Sequence, residues 1–387
     1  MRIGIITFWE SNDNYGQVLQ AYALQQVLKD MGHSPFQIRY SLCASRVNVT
    51  RSSFIKKVLK LIAIYPLIKS FKRRMSKRRD DAYEMAIEEK NKTRKFIDFR
   101  EKYICKSEII YNSLEEIRAN PPVADCYITG SDQVWTMLLS NENNKAYFLD
   151  FGKSSIKRIS YAASFARNSY PKELKEELKK QLDKFDAISV RENEGIYICK
   201  EAGRSDAVCV LDPTFLIDSK KYAYLSATTT TPDHYVFVYS INIREPEEIS
   251  WKEVVRYSRQ NNIEIITTTS SGHFAGREIL SDTEYLYATI PEWLAYIKNA
   301  DVVITTSFHG VAFCLIFNTP FVYFPLNGKG SKGNGRVLNL LKSLELDNRV
   351  YQGNLERIIE NNIDWGKVNN SLTRLKEVSY DYLNSSL

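Results

Sequence analysis

Asp301-Val-Val-Ile-Thr-Thr-Ser-Phe-His-Gly310 decides the fold, together with the run VAFCLIFNTPFVYFP that continues it. Val302, Val303 and Ile304 are a short β-branched run of the kind that forms a buried strand. Thr305, Thr306 and Ser307 then place hydroxyls and backbone N–H groups at a strand-to-helix turn. His309-Gly310 opens an apolar helix over 311–317, which Asn318-Thr319-Pro320 ends before a second strand at 321–324. The segment therefore reads as a βαβ unit whose polar residues gather at the carboxyl end of its first strand. Open parallel sheets bind ligands at that edge, where helix N-termini offer free N–H groups to anions. Thr306 and Ser307 become candidate ligand contacts, and His309 a candidate catalytic group. The residues alone leave His309 a second reading, as a helix cap or a satisfied core side chain.

The same pattern recurs upstream. A strand at 3–8 leads into the polar loop Glu10-Ser-Asn-Asp-Asn-Tyr-Gly16. A helix follows, with Val18, Leu19, Tyr22, Ala23, Val27 and Met31 at helical period and Gly32 at its end. A strand at 36–40 completes a βαβ unit. The strand 126–129 runs into Gly130-Ser-Asp-Gln-Val-Trp135, and 158–165 ends in small and hydroxyl residues. The strand 187–190 delivers Arg191-Glu192, and 208–211 is closed by Asp212-Pro213. An arginine at a strand end suits a planar anion, though an ion pair with Glu192 or Glu194 is the alternative. A helix is expected over 82–103. After the linker-like Ala227-Thr-Thr-Thr-Thr-Pro232, a second α/β series begins at the strand 235–239 and ends in the βαβ unit above. We expect an α/β fold with a first domain over 1–225, a second over 226–365 and a closing helix over 366–387.

Length and composition agree. At 387 residues, 44% hydrophobic and 26% charged, the chain suits two globular domains. MRIGIITFW turns polar too soon for a signal peptide, and no stretch reaches the ~18 apolar residues of a membrane span. The six cysteines form no C-x-x-C pair and the four histidines no i, i+4 pair, so no metal site is expected. A reducing cytoplasm is the simplest setting. The net charge of +7 is local, because 46–79 holds twelve Lys or Arg and no acid, leaving the remainder acidic. This window falls in a basic helical insertion expected at about 46–104. Its lysines alternate with aliphatic residues, which suits an interfacial membrane segment. A plain helical hairpin is the alternative, and the lack of stacking aromatics argues against nucleic acid. The loop Asn327-Gly-Lys-Gly-Ser-Lys-Gly-Asn-Gly-Arg336 matches no Walker pattern, yet its N–H groups and three cations suit a phosphate lid as well as a surface loop.

Four stretches together resemble the polysaccharide pyruvyl transferase family. They are the Asn-Tyr-Gly loop with its helix (14–24), Gly-Ser-Asp-Gln-Val-Trp (130–135), the 159–165 and 189–192 pair with Leu-Asp-Pro (211–213), and Ser-Phe-His-Gly (307–310) with Gly335-Arg336. The resemblance implies a GT-B-like fold, two Rossmann-like domains facing across a cleft. It implies transfer of a pyruvyl unit from phosphoenolpyruvate to two hydroxyls of one sugar, forming a cyclic ketal and releasing phosphate. His309 is then the expected proton donor, with Asp132 or Glu192 as base. Arg191, Thr306, Ser307, Lys332 and Arg336 are expected to bind the donor, and Asn14, Tyr15, Gln133 and Trp135 the acceptor. No cofactor is implied beyond phosphoenolpyruvate as substrate. A polyprenol-diphosphate-linked acceptor would place the protein at the inner face of the cell membrane. Ser307 departs from branches of the family that carry an arginine there, which shifts donor binding toward Arg336 and the 328–336 loop. The alternatives are a GT-B glycosyltransferase using a nucleotide sugar and a non-catalytic scaffold.

Overall fold

The computed structural model describes residues 1–9, 14–41, 85–270 and 278–387. The basic window 46–79 lies outside the described residues. Two sheets organise the rest. The first contains β1 (Arg2–Ile6), β2 (Ser34–Tyr40), β3 (Lys106–Tyr111), β4 (Cys126–Asp132), β5 (Lys157–Ala163), β6 (Ser189–Val190) and β7 (Val208–Cys209), in the order β3-β2-β1-β4-β5-β6-β7. The second contains β8 (Tyr235–Tyr239), β9 (Glu264–Thr268), β10 (Glu284–Tyr285), β11 (Val302–Thr305) and β12 (Phe321–Tyr323), in the order β10-β9-β8-β11-β12. Every pairing is parallel. Parallel strands are covered on both faces, which is why the central ones read as continuous apolar runs. Both orders are doubly wound and reverse at β1/β4 and at β8/β11. Such reversals open a crevice at the carboxyl ends of the strands. The chain thus consists of two Rossmann-like halves.

The helix Tyr15–Asp30 enters from the first crevice. Asn14 caps it by accepting from the Gln17 N–H at 3.2 Å, and Gly32 takes φ +82 just past its end. The helix Phe308–Phe317 enters from the second crevice and is apolar on all sides, so it is buried. The largest apolar cluster joins the halves, running from Leu19 and Leu24 through Tyr222 to Trp293 and Phe313. The last helix, Trp365–Ser386, returns to the first sheet, where Ser379 Oγ accepts from Leu211 N–H at 3.0 Å and the Tyr382 hydroxyl donates to Ser160 O at 2.7 Å. Among the described residues no helix is long and apolar enough to cross a membrane.

Two local readings change. The helix expected over 82–103 breaks at Lys95, whose φ of +51 restarts it as Phe96–Tyr103. The basic loop at 327–336 is shorter than expected, because a new helix, Asn334–Ser343, begins inside it. The Asn334 amide fixes that start: its oxygen accepts from the Tyr323 hydroxyl and the Leu326 N–H, and its NH₂ donates to Leu326 O. Arg336 therefore sits on a helical first turn rather than on a free loop.

Candidate active site

The two crevices meet at a pair of glycines. A Cβ on Gly16 would lie 2.0 Å from His309 Nδ1, and one on Gly310 would lie 2.2 Å from Thr305 Oγ1. Only glycine lets the start of the first helix rest against the imidazole, and only glycine lets the second helix close on β11. His309 is thereby held where the first half's strand ends arrive. Backbone conformations there are unusual: Asp132 has φ +74, Ala162 and Ala166 each +48. For alanine the left-handed region costs roughly 1–2 kcal/mol, and such strain collects at functional edges.

A buried ion network fills the first half's edge. Arg191 donates to Asp212 Oδ2 at 2.9 Å and to Asp132 Oδ1 at 3.1 Å. Asp212 Oδ2 also accepts from Ser131 Oγ at 2.9 Å, while Oδ1 accepts from the Thr214 N–H and hydroxyl. His309 Nε2 stands 3.6 Å from Asp212 Oδ2, longer than a full hydrogen bond, and has no other partner among the described residues. Arg336 completes the cluster, with Nη1 4.0 Å from Asp132. With the Gln133 amide oxygen turned toward it, that oxygen accepts from both Nη atoms of Arg336 at 3.0 Å. The Phe308 ring lies 4.6 Å from the Arg191 guanidinium carbon and 5.8 Å from that of Arg336.

Burial works against every charge here, and the neighbours decide the outcome. Desolvation would raise Asp132, but Arg191, His309 and Arg336 hold its carboxyl below the ordinary value. Desolvation likewise loses at Asp212, where His309 and Arg191 keep the carboxyl well below its ordinary value. At Arg336 burial, followed by repulsion from Arg191, outweighs Asp132 and Glu192 and pushes it down to about 10. Glu192 goes the other way: burial raises it despite Arg191 and Arg336. The side chains of Arg191, Asp132 and Asp212 are 1%, 4% and 0% exposed, against 8% for His309 and 11% for Arg336. His309 and Arg336 are therefore the least buried charged members of the cluster.

The family model for polysaccharide pyruvyl transferase matches residues 14–327, most of the chain and every residue of this cluster but Arg336. The chain belongs to the polysaccharide pyruvyl transferase family. It is a transferase of polysaccharide biosynthesis. No curated protein matches it in sequence. Among solved structures, one assigned as a UDP-N-acetylglucosamine 2-epimerase from Listeria monocytogenes is similar at TM-score 0.51 and 11% identity, over 97% of this chain and 90% of that one. A UDP-GlcNAc 2-epimerase from Neisseria meningitidis is similar at TM-score 0.44 and 8% identity, over 100% and 94%. An alpha-glucosyltransferase in complex with UDP-glucose and DNA is similar at TM-score 0.43 and 10% identity, over 99% and 95%. The first of these supports the two-domain GT-B arrangement and nothing about substrate.

Within this pyruvyl transferase, the cluster gathers His309, Asp132, Arg191, Gln133 and Arg336 as the motifs suggested. Other expectations are corrected. Tyr15 is fully buried, its hydroxyl donates to Ala288 O at 2.6 Å and its ring stacks on Trp293, so it pins the halves together and touches no acceptor. Trp135 is fully buried against Phe148, with Nε1 donating to Tyr147 O at 3.0 Å. Thr306 Oγ1 is used twice by Ile241, accepting from its N–H and donating to its carbonyl, which ties β11 to β8. Glu192 Oε1 accepts from Ser164 Oγ and the Phe165 and Ala166 N–H groups, which makes it the brace of the strained loop after β5 rather than a free base. Arg191 is sealed between two aspartates and holds the network. Asn14 is half-buried and caps its helix, Ser307 makes no side-chain cap, and the Lys332 side chain lies outside what is described. The reading of the motifs missed Asp212 as the partner of His309. Leu211-Asp212-Pro213 was visible as a strand end, but nothing local tied it to position 309.

Proposed function

We propose that this enzyme moves the pyruvyl group of phosphoenolpyruvate onto two hydroxyls of one sugar in a polysaccharide or lipid-linked oligosaccharide precursor. The observation that carries this reading is His309 beside the Asp212 carboxylate, with the Arg336 guanidinium open in the same cluster. His309 gives a proton to the methylene carbon of the donor, and the developing charge falls on C2. Asp212 stabilises the protonated ring and holds its orientation. One sugar hydroxyl attacks C2, its proton passing to Asp132 and back to the imidazole. The C–O bond to phosphate then breaks, and the second hydroxyl closes the ketal as its proton leaves on phosphate. Two C–O bonds form and one breaks; the methylene becomes a methyl group. Asp132 suits the acceptor side because it stays ionised, whereas Glu192 is occupied as a brace.

Isothermal titration with phosphoenolpyruvate and with UDP-glucose tests this. Binding of phosphoenolpyruvate that is weakened in Arg336→Ala supports it. Binding of UDP-glucose without phosphoenolpyruvate would sink it. The same reading puts the acceptor on a polyprenol diphosphate at the inner face of the cell membrane, with the twelve cations of 46–79 as the contact. Flotation with anionic liposomes should be strong at low salt and reduced, not abolished, at high salt. Equal flotation with neutral lipid, or none at all, removes the membrane from the proposal.

A further inference from the structure

His309 has two ring nitrogens, and their surroundings differ. Nε2 is buried, faces Asp212 Oδ2 at 3.6 Å and has no hydrogen-bond partner among the described residues. The side chain is nonetheless 8% exposed, so what opening it has lies on its other atoms. Asp212 already accepts on both oxygens: Oδ2 from Arg191 and Ser131, and Oδ1 from the Thr214 N–H and hydroxyl. An ionised carboxylate has about four lone-pair sites and no proton to give. With all four taken, it stands off the imidazole at an ion-pair distance. A nitrogen lone pair turned toward that carboxylate would be repelled, so the proton belongs on Nε2 and the free lone pair on Nδ1.

The root of the ring is set by the start of the first helix. A Cβ on Gly16 would lie 2.0 Å from Nδ1, 2.2 Å from Cγ and 2.7 Å from the Cβ of His309, so the bare Gly16 Cα rests against that end of the imidazole. Asp212 stands at the other end, beyond Nε2. Gly16 is held in turn by its neighbour. The Tyr15 hydroxyl donates to Ala288 O at 2.6 Å and accepts from Arg94 Nη1 at 2.5 Å, and its ring stacks on Trp293 with centroids 5.0 Å apart. Ala288 and Trp293 belong to the second half, which also carries His309. Tyr15 thus clamps the start of the helix Tyr15–Asp30 to that half, and Gly16, one residue on, stays against the ring.

We propose that His309 gives its proton through Nδ1, and that Tyr15 and Gly16 are the positioning pair that keeps Nε2 turned onto Asp212. The neutral ring carries its proton on Nε2, and a second proton on Nδ1 makes the imidazolium. With phosphoenolpyruvate as donor, the Nδ1–H bond breaks and its electron pair stays on the ring. The proton bonds to the methylene carbon through the electron pair of the C=C bond, and C2 is left electron-poor. The ring returns to the neutral form with Nε2–H still facing Asp212. The carboxylate therefore stabilises the charged ring without competing for the proton that is transferred. The transfer step rests on the proposed function; the seating of the ring and its tautomer do not.

Nitrogen-15 NMR of the full-length protein, labelled at histidine and titrated until the rings are neutral, tests the tautomer without any substrate. The chain has four histidines, and His309→Gln assigns the signal by removing it. A neutral His309 ring with its proton on Nε2 supports the proposal, and a proton on Nδ1 overturns it. Gly16→Ala tests the seat. It should move the His309 nitrogen signals and lower kcat about 10- to 100-fold, with the KM for phosphoenolpyruvate within about threefold, because a misplacement of about 1 Å costs chemistry before binding. Tyr15→Phe keeps the stacked ring and loses the hydroxyl clamp, so it answers the question even if Gly16→Ala fails to fold. Its kcat should fall about threefold, again with the His309 signals moved. Unmoved signals and wild-type kcat in the folded variants would overturn the positioning role. An Nε2–H ring in a protein that does not turn over phosphoenolpyruvate would refute the proposed donor and leave the tautomer standing.

Discussion

The two sheets share one strand order around their crevices, yet their ligand edges carry opposite chemistry. The first edge is built from full charges that satisfy one another: Arg191 between Asp132 and Asp212, and Glu192 under the 164–166 loop. The second edge is built from hydroxyls and a helix start, with Thr305 Oγ1 donating to Tyr239 O and accepting from the Ser307 N–H. The charged edge is sealed and the neutral edge presents His309. The difference teaches that charge at a strand end is not by itself a sign of substrate contact. At Arg191 and Glu192 it fixes geometry, and His309 arrives from the other half.

The sharpest way to break this contrast is at His309. His309→Asn should lower turnover by about 10²–10⁴-fold, measured as phosphate release from phosphoenolpyruvate with acceptor, while the melting temperature moves little. A loss of stability that matches the loss of activity would make the histidine structural and the two edges alike. Next in size is Arg191→Ala, which strands two buried aspartates. It should cost about 3–5 kcal/mol in urea unfolding, more than it costs in donor affinity. A variant that stays stable and loses only donor binding would move Arg191 to the reactive side.

Much of this contrast was legible in the sequence. The β-branched run 302–304 before a hydroxyl turn announced the second edge, and Gly-Ser-Asp-Gln-Val-Trp announced a strand delivering Asp132 to the first. The split of roles was not legible. Tyr15 looks like an exposed contact inside a polar motif, but the helix Tyr15–Asp30 is buried on nearly every face, so its pattern gives no inward stripe to place it; Trp135 sits in a single turn, Val134–Thr136, too short to show a period. Asp212 meets His309 only because the two halves come together. No local spacing encodes that a buried arginine 21 residues before Asp212 will find that aspartate.

Arg336 sharpens the comparison at intermediate size. It lies on the second half but faces the first, held by the neutral Gln133 amide, with the Asp132 carboxylate 4.0 Å away. Arg336→Ala should weaken the donor by about 1.5–3 kcal/mol, roughly 10- to 150-fold, with little change in unfolding. Gln133→Glu should have a related effect, because a carboxylate there would neutralise the guanidinium that the amide leaves charged. Titration of phosphoenolpyruvate against both variants checks this. Unchanged affinity in both would place the donor elsewhere in the cleft.

The smallest expected effect belongs to Glu192, and it tests whether this carboxylate is scaffold. Burial raises this carboxyl above its ordinary value in the folded protein. Its contribution to stability is therefore complete below the unfolded carboxyl range, near pH 4, and is lost as pH rises through the folded value. Asp132 and Asp212 have the opposite sign, because Arg191 and His309 hold them low. Their contribution is present above that range and lost as pH falls. Glu192→Gln leaves an oxygen for Ser164, Phe165 and Ala166 and removes the titrating charge. Thermal melting from pH 4.5 to 8 should then show a flatter decline toward neutral pH than the unsubstituted protein, while the acid-side loss set by the two aspartates persists. Turnover should change little, since the brace survives and the proposed proton acceptor is Asp132. A large loss of turnover with an unchanged melting curve would instead make Glu192 the base rather than a brace.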